Sequence, residues 1–189
     1  MALIPPDKPG GISTDLKGVI TLIVIMWALF FVSYLLPLTD LGLRPRSLTG
    51  LIGIVSMPFL HQDLAHITSN TMPLIILLFF VAGIRAPTST VAVGVILIGG
   101  ILLWIFGRSA NHIGASLLVF GLTTYLIANG YFQRKFHLII VSIIVGVLYG
   151  GNILFGILPG SQGSSWDGHL AGAIAGIITA RLLQPRYQL

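Results

Sequence analysis

One serine, two histidines and an asparagine hold the reactive potential of this chain. Ser116 lies in Gly114-Ala115-Ser116, His169 follows Gly168, and His66 stands four residues before Asn70 in His66-Ile67-Thr68-Ser69-Asn70. A serine hydroxyl is a poor nucleophile until a base takes its proton, and His169 is a candidate for that base. On a helix His66 and Asn70 share one face. Both carry side-chain N–H groups that can be aimed at a developing oxyanion. A nucleophile at a helix start also has unpaired backbone N–H groups nearby. Nucleophile, base and donors together make an acyl-transfer set. Each also has a plainer use: Ser116 as a helix cap, His66 and Asn70 as interfacial anchors, and His169 as a polar anchor at a helix end. The local patterns leave both uses open.

These residues are positioned by apolar segments. The chain has 189 residues, of which 55% are hydrophobic and 8% charged, and its mean hydropathy is +0.98. A soluble domain carries about 25% charged residues, so the composition predicts an integral membrane protein. The formal charge of +5 is scattered between apolar blocks and forms no stripe, which argues against a nucleic-acid partner. The chain has no cysteine, which rules out disulfides and thiolate metal sites. Its opening, MALIPPDKPGG, lacks the basic-then-apolar order of a cleaved signal. The first apolar block is therefore expected to be a retained helix.

A helix needs about 20 residues to span the hydrocarbon. Six segments qualify: Val19–Leu36, ending at Pro37, then His66–Gly83, Val91–Phe106, Ala115–Tyr131, Leu138–Leu158 and His169–Leu183. The expected fold class is all-α: a polytopic six-helix bundle forming one membrane domain over residues 1–189. Residues 1–18 would be a short cytoplasmic segment and 184–189 a tail. With the N-terminus inside, the inner segments hold Lys8, Lys17, Arg85, Arg134, Lys135, Arg181 and Arg186, against Arg44, Arg46 and Arg108 outside. That bias favours both termini in the cytoplasm. Segments two, four and six then all run inward. His66, Asn70, Ser116 and His169 open them from the same outer face.

Two connections stand out. Residues 38–65 are too long and too apolar for an ordinary loop, and are expected to lie partly helical against the bundle. Pro159-Gly160-Ser161-Gln162-Gly163-Ser164-Ser165 is small and polar and directly precedes His169. It suits a mobile lid as well as a plain connector.

A triad would need a carboxylate to orient the histidine. Asp167 is the near one, but two residues apart on a helix point to nearly opposite faces, so a Ser-His dyad fits better. Phe120, four residues after Ser116, can pack on the imidazole. Gly168, Gly172 and Gly176 form overlapping GxxxG patterns that permit close helix approach, with segment four as the expected partner. His61 and His66 are spaced five apart and lack HExxH, so no metal is expected, and no cofactor. His112 and His137 sit at loop edges and read as interfacial.

In combination, "HQDLAHITSN", "HIGASLLVFG" and "SSWDGHLAGAIAG" resemble the rhomboid family of intramembrane serine proteases in its compact six-helix form. The resemblance covers nearly the whole chain, up to Arg181. It implies Ser116 as nucleophile and His169 as general base, with an oxyanion site from His66, Asn70 and the Ser116 N–H. It also implies transmembrane-protein substrates with a small residue before the cut, a membrane-embedded first loop and a mobile cap before the last helix. A prokaryotic plasma membrane is the expected home. The sequence departs from the family at Leu117, where glycine usually follows the serine. A leucine there is expected to crowd the contact between segments four and six or narrow the cleft. Phe120 replaces a common tyrosine, and Ile52-Gly53 stands near the place of the first loop's usual Trp-Arg pair.

Overall fold

The computed structural model describes residues 12–160 and 165–184. Residues 161–164, the core of the expected lid, and 185–189 of the expected tail lie outside the described residues, as do 1–11. Among the described residues the chain is all-α. Its helices are α1 (Ile12–Val32), the one-turn α2 (Gly53–Ser56), α3 (Leu64–Gly83), α4 (Thr88–Phe106), α5 (Ser116–Gln133), α6 (Phe136–Gly156) and α7 (Trp166–Leu182). Of these, α3, α4 and α6 are long and apolar enough to cross a membrane.

Local chemistry sets the helix starts. The Asp63 side chain accepts from the His66 N–H at 2.8 Å and caps α3. Ser165 accepts from the Gly168 N–H at 3.3 Å and caps α7, so that helix begins at Trp166 rather than His169. Pro87 is extended (φ −69°, ψ 92°) and starts α4 at Thr88, one turn before the expected Val91. The first helix starts at Ile12, ahead of the expected Val19, and stops at Val32, short of the expected Leu36; a turn follows before Pro37.

The long connection between α1 and α3 is a run of short helical turns, at Leu38–Leu41, Thr49–Ile52, α2 and Met57–Phe59. It is pinned by backbone hydrogen bonds: Leu43 and His112 exchange N–H···O bonds at 2.9 and 2.8 Å, and the Gly114 N–H reaches the Met57 carbonyl at 3.0 Å. The Trp27 indole donates to Thr71 Oγ1 at 3.2 Å and ties α1 to α3.

The centre of the bundle is α5, and its closest neighbour is α7. Gly172 lies against the Leu117 carbonyl and Gly176 against the Gly121 carbonyl, so a Cβ at either would overlap the α5 backbone. Thr124 Oγ1 donates across the interface to the Ala173 carbonyl at 2.8 Å. Gly168 leaves the expected pattern. Its nearest neighbours are the Ser165 side chain and Leu103 of α4, because it sits in the capped first turn, above the level where α5 and α7 touch.

Candidate active site

A cavity of about 740 Å³ opens where the N-terminal ends of α3, α5 and α7 meet the C-terminal end of α6. His66, Asn70, Ser116, Phe120 and His169 all line it. Residues 103 positions apart in sequence thus line one chamber, because three helices begin on the same side of the bundle.

His169 is held by two contacts. Its ring stacks on Phe120, with centroids 4.0 Å apart and planes 7° from parallel. Its Nδ1 lies 2.9 Å from the Gly156 carbonyl at the end of α6. A carbonyl oxygen only accepts, so Nδ1 carries the proton and the neutral ring has its lone pair on Nε2. That is the tautomer a general base needs. Only glycine fits at 156, since a Cβ there would run into the Phe120 ring and crowd His169 Nδ1.

Ser116 is the first residue of α5, after Ala115 at the cap position. The first backbone bond of the helix runs from the Val119 N–H to the Ala115 carbonyl, which leaves the N–H groups of the opening turn as donors. Among the described residues the Ser116 hydroxyl makes no hydrogen bond. Gly114 precedes it at φ +107°, in a region that side chains disfavour. A Cβ on Gly114 would also fall 2.5 Å from His66 Nε2. Glycine is required here twice, for the turn into α5 and for the His66 ring to lie against it.

Asn70 gives one amide hydrogen to the His66 carbonyl at 2.8 Å. An amide has two, so a second remains for the cavity. His61 lies behind His66 in an edge-to-face contact with ring centroids 5.0 Å apart. Burial, reinforced by the neighbouring His66, pushes the His61 pKa down from 6.5 to about 4.

Asp167 serves a different partner from His169. Its carboxylate accepts from the Arg108 backbone N–H at 2.8 Å and from the guanidinium at 3.3 and 3.2 Å. Leu117 also behaves differently from its expected role. It is 1% exposed and does not line the cavity. Its side chain instead fills the notch at Gly99 of α4, where a Cβ would come 2.8 Å from Leu117 Cδ2. The leucine therefore leaves the cleft open, and α5 still meets α7 through the Leu117 carbonyl.

His112 corrects the sequence reading. It is 4% exposed, lines the cavity, and contacts Ser165 Oγ through Nδ1 at 2.7 Å and the Arg108 carbonyl through Nε2 at 3.1 Å. Hydropathy marked it as a loop edge and said nothing of burial. His137, by contrast, is exposed. Among the described residues no cluster of three or more His, Cys, Asp or Glu side chains is arranged to hold a metal.

A model of the Rhomboid domain matches residues 49–186. Uncharacterized proteins of Mycobacterium tuberculosis and Mycobacterium bovis are each 38% identical over 153 residues, covering 75% of this chain and 63% of their own length. An uncharacterized protein of Mycobacterium leprae is 34% identical over 182 residues, covering 88% of this chain and 71% of its own. The chain thus spans somewhat less than two thirds of the first two relatives.

Proposed function

This chain belongs to the rhomboid family, and from that membership we propose that it is an intramembrane serine endopeptidase working through a Ser116–His169 dyad. The observation that carries the reading is the state of His169. Stacked on Phe120 and donating from Nδ1 to Gly156, it presents a free Nε2 in the cavity that Ser116 also lines.

The steps follow from these positions. Ser116 Oγ attacks the scissile carbonyl carbon of a substrate segment in the cavity while His169 Nε2 takes the hydroxyl proton. The carbonyl oxygen becomes an oxyanion held by the Ser116 N–H, the free Asn70 N–H and a His66 ring N–H. The C–N bond then breaks, and His169 returns the proton to the leaving amine. Water attacks the acyl-Ser116 ester with His169 again as base, and the new carboxylic acid departs. Substrates are transmembrane proteins whose helices unwind readily near this face, since backbone exposed in lipid is costly unless it is re-paired. The proposed arrangement in the membrane is six crossings with both termini cytoplasmic, in a prokaryotic plasma membrane. The cysteine-free chain suits a test of that topology by single introduced cysteines and impermeant thiol reagents.

Cleavage of a model transmembrane substrate in detergent and in proteoliposomes tests the chemistry. Ser116→Ala and His169→Ala should each lower kcat by at least about 10³-fold, and a fluorophosphonate should label Ser116 in the wild type alone. Activity that survives Ser116→Ala would sink the mechanism. One observation favours a second reading, a rhomboid-like protein that binds transmembrane helices without cutting them: the Ser116 hydroxyl makes no hydrogen bond to His169. Resting sites are commonly looser than the reacting complex. Substrate capture by the wild type with neither cleavage nor labelling would decide for the second reading.

A further inference from the structure

We propose that His112 is a positioning residue that fixes the distance between the Ser116 segment and the His169 helix. The inference rests on the protease reading. Its basis is the way the two segments are joined. His112 lies four residues before Ser116, and Ser165 lies four residues before His169. Their side chains meet at 2.7 Å, His112 Nδ1 to Ser165 Oγ. The link therefore lies four residues upstream of each reactive residue and joins the two segments that carry them.

Both ends of the link are anchored. The His112 backbone exchanges two hydrogen bonds with Leu43 of the long first connection, and His112 Nε2 contacts the Arg108 carbonyl. The Ser165 hydroxyl oxygen caps α7 by accepting from the Gly168 N–H. A ring that donates from Nε2 to the Arg108 carbonyl presents a lone pair at Nδ1, so the Ser165 proton goes to His112 Nδ1. Asp167 Oδ1 lies 3.2 Å from the same hydroxyl oxygen, and Asp167 returns to the nucleophile segment through Arg108. The Arg108–Asp167 pair is a second link between the same segments, but its Arg108 side chain is about half exposed, at 52%. In the His112 link the histidine is buried, at 4% exposed, and Ser165 is half-buried.

The chemistry excludes a direct catalytic role for His112. Both of its ring nitrogens are engaged, whereas His169 keeps Nε2 free. What His112 supplies is geometry. The dyad residues are carried by different helices, and a misplacement of about 1 Å costs on the order of 100-fold in rate.

The test compares the wild type with His112→Ala, His112→Asn, Ser165→Ala and the double variant His112→Ala/Ser165→Ala, all as the full chain in detergent. Asparagine can place its amide oxygen, an acceptor, near the position of Nδ1. Three quantities are read: kcat and KM on a transmembrane substrate, the rate of Ser116 labelling by a fluorophosphonate, and Tm. His112→Ala should lower kcat roughly 10- to 100-fold, with KM nearly unchanged, and slow labelling by a similar factor. His112→Asn should recover most of both, and the double variant should be no slower than the worse single one. Unchanged labelling with reduced cleavage would overturn the proposal, because His112 would then act on the substrate. Multiplicative losses in the double variant, no rescue by asparagine, or losses that follow Tm alone would overturn it too. If the wild type neither cuts nor labels, the protease reading fails by itself, and the link is judged on Tm. A double variant no less stable than the weaker single one supports the link, and additive losses refute it.

Discussion

Replacing Leu117 with glycine, the residue its family usually has there, should weaken the fold without raising the proposed activity. The leucine side chain is 1% exposed and fills the notch left by Gly99 on α4, with Ala175 of α7 also beside that notch. Truncation to alanine leaves a void on the order of 100 Å³, at about 24 cal/mol per Å³, or roughly 2 kcal/mol. Glycine adds about 1 kcal/mol of helix propensity, for a loss of about 3 kcal/mol. The bundle lies in lipid, so this loss comes from forfeited packing contacts more than from transfer to water. Thermal unfolding in detergent measures it, alongside kcat/KM. Gly99→Ala sharpens the test. Alone it forces a Cβ to within 2.8 Å of Leu117 Cδ2 and should destabilise the fold by about 1–3 kcal/mol. In the Leu117→Ala background that penalty should vanish, since the two sites share one space. If Leu117→Gly raised kcat/KM at unchanged stability, or if the two penalties simply added, the leucine would not be filling the Gly99 notch.

Three further outcomes follow from the site. Gly114→Ala meets both the φ of +107° and the His66 ring, so it should cost about 1–2 kcal/mol in strain and lower kcat at least about 10-fold; wild-type turnover would show that the ring does not rest there. Asn70→Ala removes a donor from the proposed oxyanion site and should lower kcat about 10²- to 10³-fold with little change in KM, whereas a pure KM effect would assign Asn70 to substrate binding. His61 stays neutral in the fold down to about pH 4 but takes up a proton near pH 6.5 when unfolded. Stability should therefore fall as pH drops from about 6.5 to about 4, by at most about 3 kcal/mol, and equal pH slopes of Tm for wild type and His61→Gln would refute it.

The parts of this molecule that were legible in the sequence are those written in side-chain type and spacing. Hydropathy located α3 to α7 to within about three residues but started α1 seven residues late, at Val19 instead of Ile12, and the four-residue steps His66–Asn70 and Ser116–Phe120 put each pair on one helix face toward the cavity. Two features were not legible. The partner of His169 is a backbone carbonyl at Gly156, and every residue has a carbonyl, so no residue type marks it. The direction of Leu117 depends on Gly99, eighteen residues earlier on another helix, and is settled only by packing. His112 lies between these cases. Its burial was hidden, but its place four residues before Ser116 matches that of Ser165 before His169, and the parallel is visible in the chain.

In the proposed protease, a carbonyl stands where soluble serine proteases use a carboxylate, and the proposed place of the site in the membrane gives a reason. With the site at the membrane face as proposed, a carboxylate beside His169 would be a charge at the edge of the hydrocarbon, costly unless paired and hydrogen-bonded. The one acid in the first turn of α7, Asp167, does have such a partner, since Arg108 binds it through its backbone and its guanidinium. Turned toward His169 it would give up those bonds. The Gly156 carbonyl is neutral and already polarised by its place at the C-terminal end of α6. It selects the Nδ1–H tautomer and asks for no buried countercharge. The arrangement has a mechanical consequence. Few side chains of α6 are buried, and its end holds His169, so the orientation of that ring depends on one of the more loosely packed elements of the bundle. A displacement of α6 that widened the cavity would also release the imidazole from its acceptor.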